Sequence, residues 1–389
     1  MAEHKPLPAF SAYSGSRQPK LLIVGEALWK DEFDLKRPFL GEAGKELFLM
    51  LGEAMPKLEP ELHLEVQSLM RYGQAWLKKR DLWLEAAKIG MTNVLNLRPP
   101  ENKVASLCGT KAEVGGKYYE LPAIAHGKYL RPEFLNELDR LYSEINQLRP
   151  NLILAMGNTA CWALLRATNI GQIRGAITQS PAEITNLEQV KVLPSYHPVG
   201  IMYQWAWRPI VVMDLIKAEV EMRFGEIRRP KRNCIVSPTL EEINLWVKET
   251  IQLSPRYLAC DIETRYGQTR CVGFARSRNE ALVIPFTDEA KPGWNYWPTL
   301  EHELAAWRAC ELLLESEISK LFQNGMYDLQ YLTRIGLKIK NCSEDTMLLH
   351  HSLFPEMLKG LGFLGSCYTN EPSWKLMRRQ RPDTEKKDE

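Results

Sequence analysis

Four short apolar runs, each ending in a loop of glycine, proline or polar residues, constrain this chain most. They are Leu21-Leu22-Ile23-Val24, which enters Gly25-Glu26; Ile89 to Leu97; Asn151 to Met156, which meets Gly157; and Val190 to Leu193, which leads into Pro194-Ser195-Tyr196-His197-Pro198. Each has the length of a strand and is bounded by turn formers. Between them lie stretches with helical spacing. Residues 41–55 place Ala43, Leu47, Met50, Leu51 and Ala54 on one face, and residues 132–148, 158–167 and 208–223 read as further helices. Alternating strands and helices predict a parallel sheet covered on both faces, a three-layer α/β/α domain. Ligands of such sheets bind beyond the carboxyl ends of the strands, so the loops of interest are Gly25 to Asp31, Thr92 to Pro100, Gly157 to Thr159 and Ser195 to Gly200.

The pattern changes after a basic stretch from Glu221 to Asn233 that is punctuated by glycine and proline. Beyond it, Thr239 to Leu253 reads as a helix and Tyr257 to Ile262 as a strand. Arg270 to Ala275 with Glu280 to Pro285 reads as an antiparallel continuation, followed by helices at Leu300 to Glu315 and Met326 to Ile335. The expected division is a first domain at 1–222, a basic linker at 223–236, a second α/β domain at 237–376 and a charged tail at 377–389. A length of 389 residues agrees with two domains. The linker reads either as a solvated connector or as an arm for phosphates. With 50 Lys and Arg against 48 Asp and Glu, net charge +2, any attraction to nucleic acid must be local. No apolar run approaches the roughly 20 residues of a membrane span, and the first ten residues lack a secretory core. The expected location is the cytoplasm. Eight cysteines without a C-x-x-C pair argue for reduced thiols.

The strand-end loops carry a set of side chains suited to removing a base from DNA. Such a reaction needs a ring to stack on the extruded base, an amide to read its edge, a carboxylate near the sugar and a group to steady the departing anion. Phe39, Asn93, Glu26 and His197 supply these types. Singly, each has an ordinary reading as core ring, turn former, solvated acid or structural histidine. The ordered string is more specific. It runs Val24-Gly25-Glu26-Ala27, Arg37-Pro38-Phe39-Leu40-Gly41-Glu42-Ala43-Gly44, Thr92-Asn93-Val94, Arg98-Pro99-Pro100, Gly157-Asn158-Thr159-Ala160, Arg174-Gly175 and Ser195-Tyr196-His197-Pro198.

Over about residues 18 to 222 this string resembles the family 4 branch of the uracil-DNA glycosylase superfamily. The resemblance implies hydrolytic removal of uracil from DNA, single- or double-stranded. Phe39 would stack on the flipped base, Asn93 would read its Watson–Crick edge, Glu26 would act at the water or sugar, and His197 would serve the leaving group. Gly25, Ala27, Arg98 and Ser195 complete the implied substrate-binding set. Three departures bear on this. Leu28-Trp29-Lys30-Asp31 replaces the family's Pro-Gly, which reshapes the loop and makes Asp31 an alternative catalytic group. Asn96 and Leu130 stand where cluster cysteines would fall, so no iron–sulfur cluster and no other cofactor is expected in this domain. Trp205-Ala206-Trp207-Arg208 follows the histidine motif, where a DNA-wedging loop belongs.

In the second half, Cys260-Asp261-Ile262-Glu263-Thr264 puts two carboxylates on one face of a strand, an arrangement that suits a divalent cation or, alternatively, a solvated edge. With Asn324-Gly325-Met326-Tyr327-Asp328, Glu344-Asp345-Thr346-Met347 and Ser352-Leu353-Phe354-Pro355, it is similar over about residues 255 to 375 to the DEDD exonucleases, especially the proofreading domain of family A DNA polymerases. That resemblance implies a ribonuclease H-like fold with Mg2+ or Mn2+ on Asp261, Glu263 and Asp328. The family's last motif, a Tyr or His followed by Asp, is not found; Tyr368 is followed by Thr, Asn, Glu and Pro. The expected domain is thus an incomplete 3′-5′ exonuclease, either completed by a second polypeptide such as a polymerase subunit or serving as a DNA-binding remnant. The fusion suggests a bacteriophage-like genome. The expected function is a repair or replication enzyme that excises uracil. The alternatives are a non-catalytic DNA-binding or polymerase-associated module, and a nuclease whose first half presents substrate.

Overall fold

The apolar run at Leu21 becomes the middle of a sheet in the computed structural model, which describes residues 4–55, 75–115, 121–124 and 127–371. The principal elements of this first unit are β1 (Ser14–Gly15), β2 (Leu21–Ala27), α1 (Lys30–Leu35), α2 (Glu42–Ala54), α3 (Ala75–Ala86), β3 (Ile89–Leu95), α4 (Asn136–Leu148), β4 (Leu152–Met156), α5 (Gly157–Leu165), β5 (Thr178–Gln179), β6 (Lys191–Ser195), α6 (Pro198–Tyr203) and α7 (Arg208–Glu221). The sheet order is β1-β3-β2-β4-β6-β5. Its four central strands are mutually parallel, and the short edges β1 and β5 are antiparallel to them. All residues of β3, β4 and β6 are buried, and so are all of β2 except Glu26. Strands covered by helices on both faces are predominantly apolar, and this explains the apolar runs.

The helix α4 differs from a simple amphipathic reading. Leu138, Leu141, Tyr142, Ile145 and Leu148 enter the core, but Glu137, Arg140 and Glu144 are buried as well. Arg140 pairs with Glu137 at 2.9 Å and Glu144 at 3.0 Å. It also donates at 2.8 Å to the carbonyls of Asn93 and Val94, while Thr92 donates to Glu144 at 2.8 Å. Buried charges persist only when paired and hydrogen-bonded. Here they fix the end of β3, where Asn93 lies.

The second unit is a separate sheet. Its elements are β7 (Asn233–Ile235), α8 (Leu240–Leu253), β8 (Tyr257–Arg265), β9 (Gln268–Ala275), β10 (Glu280–Pro285), α9 (Leu300–Glu315), β11 (Ser319–Phe322), α10 (Met326–Arg334), β12 (Cys342–Asp345) and α11 (Thr346–Leu353). The order is β12-β11-β8-β9-β10-β7. β8, β9 and β10 run antiparallel, and parallel pairs extend the sheet at both sides. Val272, Phe274, Leu282 and Ile284 pack with Trp246 and Leu313 in its core. Thr239 starts α8 by accepting from the Glu242 amide in a capping box. Both units are mixed α/β, and among the described residues no helix is long and apolar enough to cross a membrane.

The units divide differently from the sequence-based boundaries. The second comprises Arg229–Leu361, and the described residues from Gly362 onward belong with the first. The helix α12 (Leu361–Tyr368) therefore leaves the 237–376 segment and joins the first unit. The 223–236 stretch is also not a free connector. Asn233–Ile235 is a strand in the second sheet, and the buried Lys191 ammonium binds the carbonyls of Glu221, Phe224 and Glu226. A basic composition does not reveal that its backbone carbonyls are being consumed. The tail 377–389 lies outside the described residues.

Candidate active site

Gly25 and Asn93 are register partners in the parallel pair β2–β3, and Phe39 closes on them from the segment before α2. A Cβ at residue 25 would stand 2.3 Å from Asn93 Oδ1 and 2.7 Å from Phe39 Cζ. These three residues can meet only because residue 25 has no side chain. Asn93 is 2% exposed, and among the described residues its Nδ2 has no hydrogen-bond partner. A buried amide donor left unpaired is costly, and that cost is relieved by a ligand acceptor.

Phe39 adopts the left-handed conformation, φ 57°, and the surroundings hold it there. Gly44 lets α2 lie directly on the Phe39 carbonyl, where a Cβ would come within 2.0 Å of the oxygen. Buried Arg80 donates to Pro38 O at 2.6 Å. The buried Glu32 carboxylate accepts from the Leu40 and Trp29 amides, both at 2.9 Å. Burial raises the pKa of Glu32; the two amides and the Arg80 charge oppose that rise.

His197 is the N-cap of α6. Its Nδ1 accepts from the Val199 amide at 3.2 Å, so the neutral ring carries its proton on Nε2. Burial lowers its pKa to about 4, which keeps the ring neutral at ordinary pH. The ring lies 6.0 Å from that of Phe39 at an angle of 25°. Gly157, at φ 84°, provides the room behind it, since a Cβ there would be 3.0 Å from His197 Cβ. One strand over, Glu26 accepts a hydrogen bond from Thr159 Oγ1 on α5. Desolvation raises the Glu26 pKa, with the Thr159 hydroxyl acting in the opposite sense.

The fold thus brings Gly25, Phe39, Asn93 and His197 together, with Glu26 on the same strand end. It distributes the other expected residues differently. Ala27 is buried beside Leu95 in the sheet. Arg98 is exposed and donates to Asn102 Oδ1 at 3.1 Å. Ser195 Oγ turns away from the loop and donates to buried Asp214 at 2.7 Å. Asp31 is exposed in the first turn of α1, where a carboxylate complements the helix dipole. In the Leu28-Trp29 departure, Leu28 is core and Trp29 is half exposed at the helix start. Of the Trp pair after the histidine motif, Trp207 stacks on Tyr196 at 4.3 Å, while Trp205 is 63% and Tyr203 84% exposed. Asn96 and Leu130 are both buried. Thr159, Glu32, Arg80 and Asp214 were not singled out from sequence. Thr159 lay inside a quoted motif and Asp214 in a stretch read as a helix, whereas Glu32 and Arg80 lay in stretches given no helical reading.

In the second unit the expected metal ligands, Asp261, Glu263 and Asp328, lie close enough for the charges of Asp328 and Glu263 to act on Asp261. Among the described residues no three His, Cys, Asp or Glu side chains are grouped so as to hold a metal ion. Asp328 Oδ1 accepts from the Ile262 amide at 2.9 Å, and the β8–β9 register shifts between Glu263 and Thr264. Burial, then the charges of Asp328 and Glu263, raise the Asp261 pKa to about 6. Asp328 accepts from the backbone as well, and with no three-ligand group among the described residues the donor set does not fit a bound metal.

Residues 12–216, more than half of the chain, match the family model described as the uracil DNA glycosylase superfamily. The Type-4 uracil-DNA glycosylase of Archaeoglobus fulgidus is 25% identical over 209 residues, covering 52% of this chain and 76% of its own length. That of Pyrobaculum aerophilum is 26% identical over 212 residues, covering 53% and 80%. Among solved structures, the EXD2 exonuclease domain soaked in Mn and GMP is 19% identical, covers 40% of this chain and 77% of that one, and has a TM-score of 0.23.

Proposed function

The chain belongs to the uracil DNA glycosylase superfamily, and from that membership we propose that it flips uracil out of DNA and hydrolyses its glycosidic bond. The observation that carries the reading is the convergence of Gly25, Phe39 and Asn93 around a buried amide whose Nδ2 has no partner among the described residues. A uracil stacked on Phe39 offers N3–H to Asn93 Oδ1 and O4 to Nδ2, whereas cytosine reverses both polarities and leaves like groups facing. In the reaction the C1′–N1 bond breaks with its electron pair leaving on the base, and the charge develops on O2. The Nε2–H of neutral His197 donates to that oxygen without needing to be ionised. Glu26, whose pKa is raised by burial, takes the proton of the water that attacks C1′. The uracil anion then takes up a proton from water and Glu26 returns its own to solvent, leaving free uracil and an abasic sugar. Exposed Tyr203 and Trp205 suit the gap left in the stack.

The test is release of free uracil from uracil-containing DNA in EDTA, which silences phosphodiester cleavage by metal-dependent nucleases. Asn93→Ala and His197→Ala are each expected to lower the single-turnover rate by about 10²-fold. Unchanged rates in both variants would sink the assignment.

For the second unit we propose an exonuclease-like domain that contacts nucleic acid without hydrolysing it alone. The commitment of Asp328 to the Ile262 amide supports this reading. A 3′-end-labelled strand incubated with Mg2+ or Mn2+ should keep its length. Shortening that disappears in Asp261→Ala would overturn it.

A further inference from the structure

The helix α12 follows the second sheet in sequence and yet builds part of the first unit. Its last carbonyls have no intrahelical donors and form the negative pole of the helix. Lys217 on α7 supplies them: its ammonium donates to Ser366 O at 2.6 Å and Thr369 O at 2.7 Å, and also to Gly175 O at 2.7 Å. Gly175 has φ 73°, and a Cβ there would come within 2.5 Å of Ser366 O, so the approach requires glycine. Arg174 contacts Cys367 Sγ at 3.5 Å and lies 5.1 Å from the Phe363 ring centroid. Asn370 donates to Glu221 at 2.7 Å.

The same residues bind the strand that presents His197. The Gly175 amide donates to Pro194 O at 2.8 Å. Arg174 donates to Asp214 Oδ1 at 3.0 Å, and Ser195 donates to Asp214 Oδ2 at 2.7 Å. Arg174, Asp214 and Ser195 are all at most 2% exposed, so water does not replace a lost partner. Two residues further along is His197.

We propose that the segment Leu361–Asn370 is a positioning clamp for the excision site, holding His197 in place through Lys217, Gly175, Arg174 and Asp214. This inference rests on the glycosylase reading. In it, the second unit is inserted into the first: the chain must leave the glycosylase, form the second sheet and return before the histidine loop is fully supported.

The test compares the full chain with Lys217→Met and Lys217→Arg variants and with a chain ending at Gly360. Three quantities are read: kcat and KM for uracil release, amide hydrogen exchange over residues 195–203, and the His197 pKa by NMR, assigned with His197→Gln. Lys217→Met and the shortened chain should lose roughly tenfold in kcat with KM unchanged. They should also exchange faster over 195–203 and show a His197 pKa moved up toward the ordinary 6.5. Lys217→Arg should restore most of the loss. Should the shortened chain misfold, the two point variants decide. Wild-type values of exchange and His197 pKa in Lys217→Met would overturn the clamp. A wild-type chain that released no uracil would instead sink the glycosylase reading, and exchange and pKa would still decide for or against the clamp.

Discussion

At the residue scale, the site depends on groups held in unusual states. His197 keeps a neutral ring because burial disfavours the imidazolium and because Nδ1 is already accepting from Val199. Its folded pKa of about 4 lies below the unfolded value of 6.5, so the unfolded chain binds more protons between those limits. The stability this contributes is present above pH 6.5 and is lost as pH falls through 4. Denaturant midpoints measured from pH 7 to pH 4 should therefore fall more steeply for the wild type than for His197→Gln. Equal slopes would mean that the ring is not desolvated. His197, Phe39 and Asn93 could be singled out in the sequence only through the ordered string of motifs, because singly each has an ordinary reading. Asp214 and Arg80 could not be, because a buried charge and a solvated one look alike until their partners are known.

At the element scale, the contrast is between strands and the segments that aim their ends. The four central strands could be read directly, since burial on both faces makes them predominantly apolar. The segment from Ala27 to Leu40 could not. Its replacement of Pro-Gly by Leu-Trp suggested a reshaped loop, and the structure forms a helix at Lys30 whose N-cap amide, that of Trp29, donates to Glu32. That carboxylate serves two amides eleven residues apart, Trp29 and Leu40, and so ties the helix to the Phe39 turn. Gly25 is the point where Asn93 and Phe39 both close on the strand. Gly25→Ala is expected to push Asn93 and Phe39 apart and lower uracil release by about 10²-fold while the chain stays folded. A crystal structure of the variant with the Phe39 ring unmoved, together with full activity, would contradict this.

At the scale of the whole molecule, buried cations act as fasteners for chain that would otherwise read as linker. Lys191 is 1% exposed and binds the carboxylate of Glu221 as well as three carbonyls between Glu221 and Glu226. Lys191→Met keeps the bulk but leaves a carboxylate and three carbonyls unsatisfied, so it should cost about 3 kcal/mol of stability. A shift of the urea midpoint without a change in slope would measure this; an unshifted midpoint would contradict it. The sequence by itself determined the alternation of the first half, the change of pattern after Glu221, and the order of motifs that identifies the family, because these depend on local periodicity and on residue type. Only the tertiary structure decided that Ser195 faces Asp214, that Asp328 spends an oxygen on the backbone, and that α12 returns to the first unit. Those outcomes depend on which polar groups lose water together, and residues 19, 66 or 149 positions apart reveal that only when the fold brings them within a hydrogen bond.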